Sequence, residues 1–546
     1  MNDIAREINN MEEQKTRRGY ALGVQMFDWI RERGSVYVDK TMYVWQMVST
    51  DAVNFFLSRP RRFGKSLLVD TLRCYFEGRK ELFEGLYIYD KETEWKKYPV
   101  FRIDLSSGKY YEKESFHGTV GGILRRLEEQ WQVTPEDEYR YDVRLTDLIR
   151  AAYEQTGERV VILVDEYDAP MLDTINDPEL QDYMRQRVRS LFSPLKAQAQ
   201  YLRFVFLTGI SKFSQLSVFS ELNNLQQLTF APEYEAICGI TEEELLTQMK
   251  ADVELLTEKL NKLYNRYGIS YTYDSTLAKL KEMYDGYHFS KEMTDIYCPW
   301  SLLNAFVMGD IENYWFSTGT PTMLISVMRR HGISIQRIDG CQYALRRFDA
   351  PTERISDPIP VLFQGGYLTL KEYNAIANEY VLGFPNKEVR EGFSYSLYKF
   401  YLEDYVGSEE ALGNAYRRLQ CKEITIEDFV EVVRRWYAGI PYSITDKNQN
   451  EQLYQSLIYA ALMGFGADVS AEDQTSDGRM DIALKVPDAI YIIELKYGKT
   501  ADEAVDQILK KDYAVKFAAD SRPVVAIGLN ISQDRRTIDN YKIVTI

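Results

Sequence analysis

A chain of 546 residues exceeds what one hydrophobic core organises and calls for at least two domains. Hydrophobic residues at 45% and charged residues at 27% describe an ordinary globular balance, while a formal net charge of −16 argues against indiscriminate nucleic-acid binding by the whole surface and leaves room only for a local basic groove. Five scattered cysteines without a C-x-x-C, and only three histidines, argue against a disulfide framework and a His/Cys zinc site.

Residues 1–18 are polar and mixed in charge, with no signal-like apolar segment, and read as a frayed or weakly helical tail. No apolar run reaches the length of a membrane span, so a cytoplasmic location is expected. From 19 to about 230, strands alternate with helices. The strands are expected at Val53–Leu57, Val100–Leu105, Val160–Val164 and Arg203–Leu207; helices follow Lys65 and fit Gly121–Gln132, Thr146–Gln155 and Asp182–Ala197. This alternation predicts a parallel sheet covered on both faces. From 240 the pattern turns helical, opened by Thr241 as a cap with Glu244 three positions on, and it continues to a turn at Tyr284–Phe289. Residues 350–445 read as a mixed connector punctuated by Pro351, Pro358 and Pro360. In it, Gln364–Leu370 turns into a strand, and a helix over Arg417–Trp436 breaks at Ile424-Thr425, where Thr425 and Asp428 cap the second piece. The last module predicts a helix at Gln452–Met463, strands at Val469–Glu472, Arg479–Val486 and Ala489–Leu495, a helix at Asp502–Ala518 and a strand at Pro523–Leu529. The 41 tyrosines read mostly as core edges and domain contacts rather than base-stacking platforms.

Two stretches carry chemistry. The apolar strand Val53–Leu57 runs through Ser58-Arg59-Pro60-Arg61-Arg62-Phe63 into Gly64-Lys65-Ser66 and a helix. A glycine lets the backbone face an anion, a lysine reaches the β and γ phosphates, a hydroxyl holds Mg²⁺, and the helix adds its positive end. Arg59 stands where such loops usually carry their first glycine. About a hundred residues later the buried strand Val160–Val164 ends in Asp165-Glu166: Asp165 suits the Mg²⁺ shell and Glu166 can polarise a water. A strand ending in a solvated acidic turn is the alternative. Thr208, at the tip of the next strand, is a candidate for sensing the γ-phosphate, with a strand-terminal turn as the plainer reading. Arg59, Arg61 and Arg62 suit phosphate, a neighbouring subunit or surface ion pairs.

The second stretch is Gly478-Arg479-Met480-Asp481 followed by Glu494-Leu495-Lys496. Residues two apart on a strand share a face, so Glu494 and Lys496 point the same way, and a hairpin brings Asp481 beside them. Two carboxylates suit Mg²⁺ or Mn²⁺, and the lysine suits a water or a pentavalent phosphate in phosphodiester hydrolysis. The alternative is a surface-facing charge pair on a half-buried strand.

The first half resembles the AAA-ATPase-like family found beside nuclease-like domains. The resemblance rests on Tyr37-Val38-Asp39-Lys40-Thr41, Ser58–Ser66, Asp165-Glu166-Tyr167-Asp168, Phe206–Ser214 and Trp315–Pro321. It makes Arg59 a family habit and implies nucleotide contacts at Arg62, Phe63, Gly64, Lys65, Ser66, Leu67, Asp165 and Thr208. The last module resembles the PD-(D/E)XK nuclease superfamily through Asp481, Glu494, Lys496 and Gln507 on the following helix. That resemblance implies a further metal-ligating acid from the first helix, for which Glu451 is the candidate and Glu472 the alternative.

The expected fold is therefore α/β: a P-loop NTPase parallel sheet with a helical lid, plus a C-terminal PD-(D/E)XK nuclease-like α/β domain. The expected divisions are an ATPase-like core at 19–235, a lid at 236–345, a connector at 346–447 and a nuclease-like domain at 448–546. The expected ligands are ATP, Mg²⁺ at Ser66 and Asp165, and Mg²⁺ or Mn²⁺ at the second site. DNA or RNA is the expected macromolecular partner, and the ATPase resemblance leaves room for a homo-oligomer. The rival expectation is a nucleotide-dependent switch or scaffold whose last module binds nucleic acid or protein without cutting.

Overall fold

A computed structural model of the chain describes residues 19–210, 225–316, 338–344, 347–348, 357–401, 409–440, 451–475, 478–534 and 537–546. The expected N-terminal tail, Pro351, the end of the Phe206–Ser214 motif and Ser317–Pro321 lie outside these. Two compact units emerge: Met1–Tyr314 with Gln342–Asn386, and Trp315–Cys341 with Lys387–Ile546. The segment 346–447, expected as a connector, is divided between them at Asn386.

In the first unit, β1 (Asn54–Ser58), β2 (Val100–Asp104), β3 (Val160–Asp165), β4 (Leu202–Gly209) and β5 (Gln226–Gln227) form one sheet in the order β2-β3-β4-β1-β5. Every pairing is parallel. The uninterrupted apolar run of β3 is the mark of a strand covered on both faces, and it is buried along its whole length. On one face Phe56, Phe101, Ile162, Val164 and Leu207 pack beneath helices Gly122–Trp131, Tyr141–Thr156 and Pro178–Phe192. Parallel pairing carries the carboxyl ends of β1, β3 and β4 to one edge, where open α/β sheets bind ligands.

Beyond the sheet, helices Glu242–Gln248, Lys250–Tyr264, Tyr273–Tyr284 and Pro299–Met308 enclose Leu245, Leu256, Leu260, Tyr284, Leu302 and Phe306. Thr241 and Glu244 form the expected capping box at the first of these. β6 (Ile240–Thr241) and β7 (Ile296–Tyr297) pair antiparallel beside them. A three-stranded sheet of β8 (Cys341–Ala344), β9 (Thr369–Asn374) and β10 (Glu379–Gly383) completes the unit.

The second unit contains helices Lys387–Tyr401, Glu409–Gln420, Ile426–Ala438 and Glu451–Gly464 and a second five-stranded sheet. Its strands are β11 (Asp468–Thr475), β12 (Gly478–Val486), β13 (Ala489–Tyr497), β14 (Val524–Ile531) and β15 (Ile538–Thr545), in sequential order. Thr425 and Asp428 cap the third helix as expected. Only β13 and β14 pair in parallel, joined by a crossover that contains helix Ala501–Lys510.

Three expectations need correction. The helix expected over Asp502–Ala518 stops at Lys510, because Asp512 adopts a left-handed backbone (φ 47°) before a short 3₁₀ turn at Tyr513–Phe517. The helix expected over Asp182–Ala197 begins at Pro178, where Asp177 caps it, and gives way at Phe192 before Pro194 opens a short second helix. Strand β15 was not expected at all: its polar, charge-punctuated sequence hides a partly exposed edge strand.

Many tyrosines do serve as packing. Tyr398, Tyr437 and Tyr454 form an aromatic cluster with Trp436, and Tyr437 donates a hydrogen bond to the Tyr454 carbonyl.

Candidate functional sites

The first site lies at the carboxyl edge of the parallel sheet. After β1 the chain passes through Arg62 (φ 70°) and Gly64 (φ 92°), two left-handed positions that curl it into the helix Lys65–Phe76. A glycine at 64 allows that turn without strain. The loop closes around its own lysine: the Lys65 ammonium donates to the carbonyls of Arg59 (3.0 Å) and Pro60 (3.1 Å) and lies 3.3 Å from Glu166. Leu67, whose carbonyl accepts the Thr71 hydroxyl, belongs to the first turn of the helix.

Asp165, at the tip of β3, shares a hydrogen bond with Ser66. Burial pushes its carboxyl up to about 6, the Ser66 hydrogen bond pulls the other way, and neighbouring Glu166 adds to the rise. Its Oδ1 is buried with no hydrogen-bond partner among the described residues. Such an oxygen beside a serine hydroxyl fits a hard cation, so Ser66 and Asp165 suit Mg²⁺. Glu166 is held in the left-handed region (φ 49°), which turns its side chain back to Lys65.

The remaining candidates have other surroundings. Thr208 is fully buried, and its hydroxyl donates to the Leu57 carbonyl across β1 and β4. Asp168 accepts the Ile210 amide at 3.0 Å, bridging the ends of β3 and β4, and Gly209 leaves the space that the Asp168 carboxyl fills. Phe63 packs edge-on against Tyr287 and Phe289, and Arg62 lies over Trp300 at 4.1 Å.

Arg59 is the residue whose place sequence reasoning missed. It is 1% exposed, and its guanidinium donates to the carbonyls of Ser58, Thr229, Tyr234 and Glu235 while covering the ring of Phe289 at 4.2 Å. Burial lowers its pKa to about 10, so it stays charged at neutral pH. No local pattern signals this role, because the acceptors at Thr229, Tyr234 and Glu235 lie 170 to 176 residues away.

The second site sits where β12, β13 and helix Ala501–Lys510 meet. The antiparallel register pairs Ile482 with Ile493, which leaves Asp481 and Glu494 next in line where the β12–β13 pairing ends. There Asp481 Oδ2 accepts the amide of Leu495 at 2.8 Å. Lys496 Nζ donates to Glu494 Oε1 at 3.0 Å, and Gln507 Nε2 donates to the same oxygen. Glu494 is fully buried and its Oε2 has no hydrogen-bond partner among the described residues. Burial, then the nearby Asp481, pushes its carboxyl up to about 8, against the pull of Lys496. A cation beside Glu494 and Asp481 would offset both effects, so the pair fits a divalent metal. Among the described residues no group of three or more acidic, histidine or cysteine ligands gathers. Glu451 opens the helix Glu451–Gly464 and Glu472 lies in β11, but their side chains lie outside the described ones.

Two further residues complete this site. Gln507 Nε2 also lies 3.3 Å from the Tyr513 hydroxyl, and Gln455 donates to the Asp481 carbonyl at 3.1 Å. Tyr513 was hidden from sequence reasoning because the helix ends between it and Gln507, so no helical period relates the two.

A parallel sheet with a lysine-closed loop, and an Asp, Glu-x-Lys pair on a five-stranded sheet, define a P-loop ATPase-like protein with a nuclease-type second domain. Comparison with known proteins agrees in both halves: residues 21–219 match the family described as "Predicted AAA-ATPase", and residues 449–541 match the PD-(D/E)XK nuclease superfamily. Over 544 residues the chain is 31% identical to the "Uncharacterized protein in vnfD 5'region" of Azotobacter chroococcum mcd 1, spanning 96% of this chain and 99% of that one. The chain belongs to this AAA-ATPase-like family, in the form that carries a C-terminal PD-(D/E)XK domain. No solved structure matches it. No helix among the described residues is long and apolar enough to cross a membrane.

Proposed function

We propose that this protein binds ATP with Mg²⁺ at the phosphate loop and hydrolyses phosphodiester bonds of nucleic acid at the Asp481–Glu494–Lys496 site, with the nucleotide controlling cleavage. The observation that carries the nuclease reading is the convergence of Lys496 and Gln507 on one oxygen of the buried Glu494, beside Asp481. A hairpin of surface charges has no need to bury a carboxylate completely.

In this reading Glu494 and Asp481 hold the divalent metal, with Glu451 as a further ligand. The metal, when bound, neutralises phosphate charge and lowers the pKa of water. Lys496 orients the attacking water or steadies the negative phosphate oxygens, and the Gln507 amide fixes the rotamer of Glu494. At the first site Lys65 holds the β and γ phosphates, Ser66 and Asp165 hold Mg²⁺, Glu166 polarises the hydrolytic water, and residues 62–67 line the nucleotide through their backbone, with Thr208 buried at the neighbouring strand tip. Residues 19–235 act as the ATPase-like core, 236–345 as its lid and 448–546 as the nuclease-like domain. Free cysteines, three of them buried, support a cytoplasmic setting. The ATPase-like relationship supports a homo-oligomer.

The test is cleavage of plasmid DNA, linear DNA and RNA with Mg²⁺ or Mn²⁺, with and without ATP, beside Lys496→Ala and Lys65→Ala. Loss of cleavage by about 100-fold in Lys496→Ala supports the nuclease. A changed ATP response in Lys65→Ala supports control by the nucleotide. Absence of cleavage on every substrate, with ATP still bound, replaces it with the non-cutting switch.

A further inference from the structure

The phosphate loop is tied by side chains to a turn far along the chain. Arg59 joins it to the carbonyls of Tyr234 and Glu235. The Glu235 carboxylate, itself buried, accepts the amides of Phe289 (3.2 Å) and Ser290 (3.0 Å) and the Ser290 hydroxyl (2.8 Å). The Phe289 ring returns beneath the Arg59 guanidinium, and Phe63 from the same loop packs on Tyr287 and Phe289. The loop and the turn 284–290 are thus two sides of one buried cluster.

The turn has a second set of bonds on its other side. His288 exchanges hydrogen bonds with Thr369: its amide donates to the threonine hydroxyl, which donates back to the His288 carbonyl. Asn386 donates to the Asp285 carbonyl at 2.9 Å. Gly286 (φ 85°) lies against the Pro385 carbonyl so closely that a β-carbon would collide with it. Residues 384–386 therefore lie on the turn, and the chain passes from Asn386 directly into helix Lys387–Tyr401, where the second unit resumes.

We propose that Arg59 and Glu235 are positioning residues that make the phosphate loop and the turn 284–290 move as one body, so that nucleotide at the loop is felt at residues 384–386, the covalent lead into the second unit. This rests on the ATP reading of the loop. Arg59 acts at both ends: its carbonyl is one of the two that hold the Lys65 ammonium, and its guanidinium holds the Glu235 strap. A glycine at that position, as in ordinary phosphate loops, would supply the first contact and not the second. Closely packed, buried, hydrogen-bonded clusters of this kind shift between discrete arrangements rather than deforming smoothly.

The test is hydrogen exchange of the full-length protein with and without the Mg²⁺ complex of a non-hydrolysable ATP analogue, with analogue binding measured in parallel. In the wild type, binding is expected to change exchange at 284–290 and 384–386 by about fivefold or more. Glu235→Gln and the milder Ser290→Ala are expected to keep analogue affinity within about threefold while reducing that distant response. Arg59→Lys, which keeps the charge and loses the fork, is expected to weaken both. An unchanged response in folded Ser290→Ala and Glu235→Gln overturns the relay, as does a wild type that binds analogue with no response at 284–290. A wild type that binds no analogue overturns the ATP reading and the relay together.

Discussion

Gly528 stands directly beside Glu494 on the neighbouring parallel strand, and a β-carbon at 528 would collide with the carbonyl oxygen of Ala501. The missing side chain lets helix Ala501–Lys510 settle onto the sheet closely enough for Gln507 to reach the buried carboxylate. A backbone gap on β14 thereby governs a contact made from β13.

Gly528→Ala is accordingly expected to lift that helix, cost ~1–3 kcal/mol of stability and separate Gln507 from Glu494. Cleavage should fall by about tenfold or more while analogue binding at Lys65 is unchanged. Thermal unfolding and cleavage rates check this. Full activity at reduced stability would show that Gln507 does not position Glu494.

Glu166, turned toward Lys65 by its left-handed backbone, faces the loop, where the Lys65 ammonium is also held by the carbonyls of Arg59 and Pro60. Glu166→Gln should retain ATP binding and lose hydrolysis by about 100-fold or more, in the range of general-base removal. Equilibrium nucleotide binding beside steady-state phosphate release separates the two effects.

The Lys40 ammonium donates to both oxygens of Glu244 at 2.6 and 2.7 Å, and the same carboxylate caps the helix Glu242–Gln248. Both side chains are largely buried, at 10% and 18% exposure. Lys40→Ala leaves Glu244 without its partner and should destabilise the first unit by ~3 kcal/mol. Paired substitution of Lys40 and Glu244 by apolar residues should recover part of that loss, as measured by a double-mutant cycle in urea.

Burial pushes the Asp285 carboxyl up to about 6, with Asp295 and Glu242 adding to the rise and Lys281, at 3.8 Å, opposing it. A carboxyl whose folded pKa is raised contributes stability that is complete below its unfolded value and is lost as pH rises through the folded one. Between pH 4 and 7 the difference from an ordinary carboxyl is worth ~3 kcal/mol. Asp285→Asn should therefore gain stability relative to the wild type as pH rises through that window and level off above pH 7. Parallel denaturation curves at pH 4.5, 6 and 7.5 check the sign.

Much of the architecture was legible from local pattern. The four main strands of the first sheet fall within a few residues of their expected positions, because alternating apolar runs and helical periods are local consequences of burial. The boxes at Thr241 and Thr425 were legible for the same reason: a cap needs only its own first turn. The helix break at Asp512 and the edge strand β15 were not, since a left-handed non-glycine residue and a polar edge carry weak local signals.

The sequence by itself determined which residues are the candidates for the chemistry: Gly64-Lys65-Ser66 between a strand and a helix, Asp165-Glu166 at a strand tip, and Asp481, Glu494 and Lys496 on two neighbouring strands, where their spacing announces them. Only the tertiary structure decided what holds them in place. Arg59 is anchored on carbonyls about 170 residues distant, Tyr513 reaches Gln507 across a helix break, and Gly528 opens the space that brings Gln507 to Glu494. These are contacts between segments that meet only when the sheets assemble, and no periodicity along one segment encodes its distance to another.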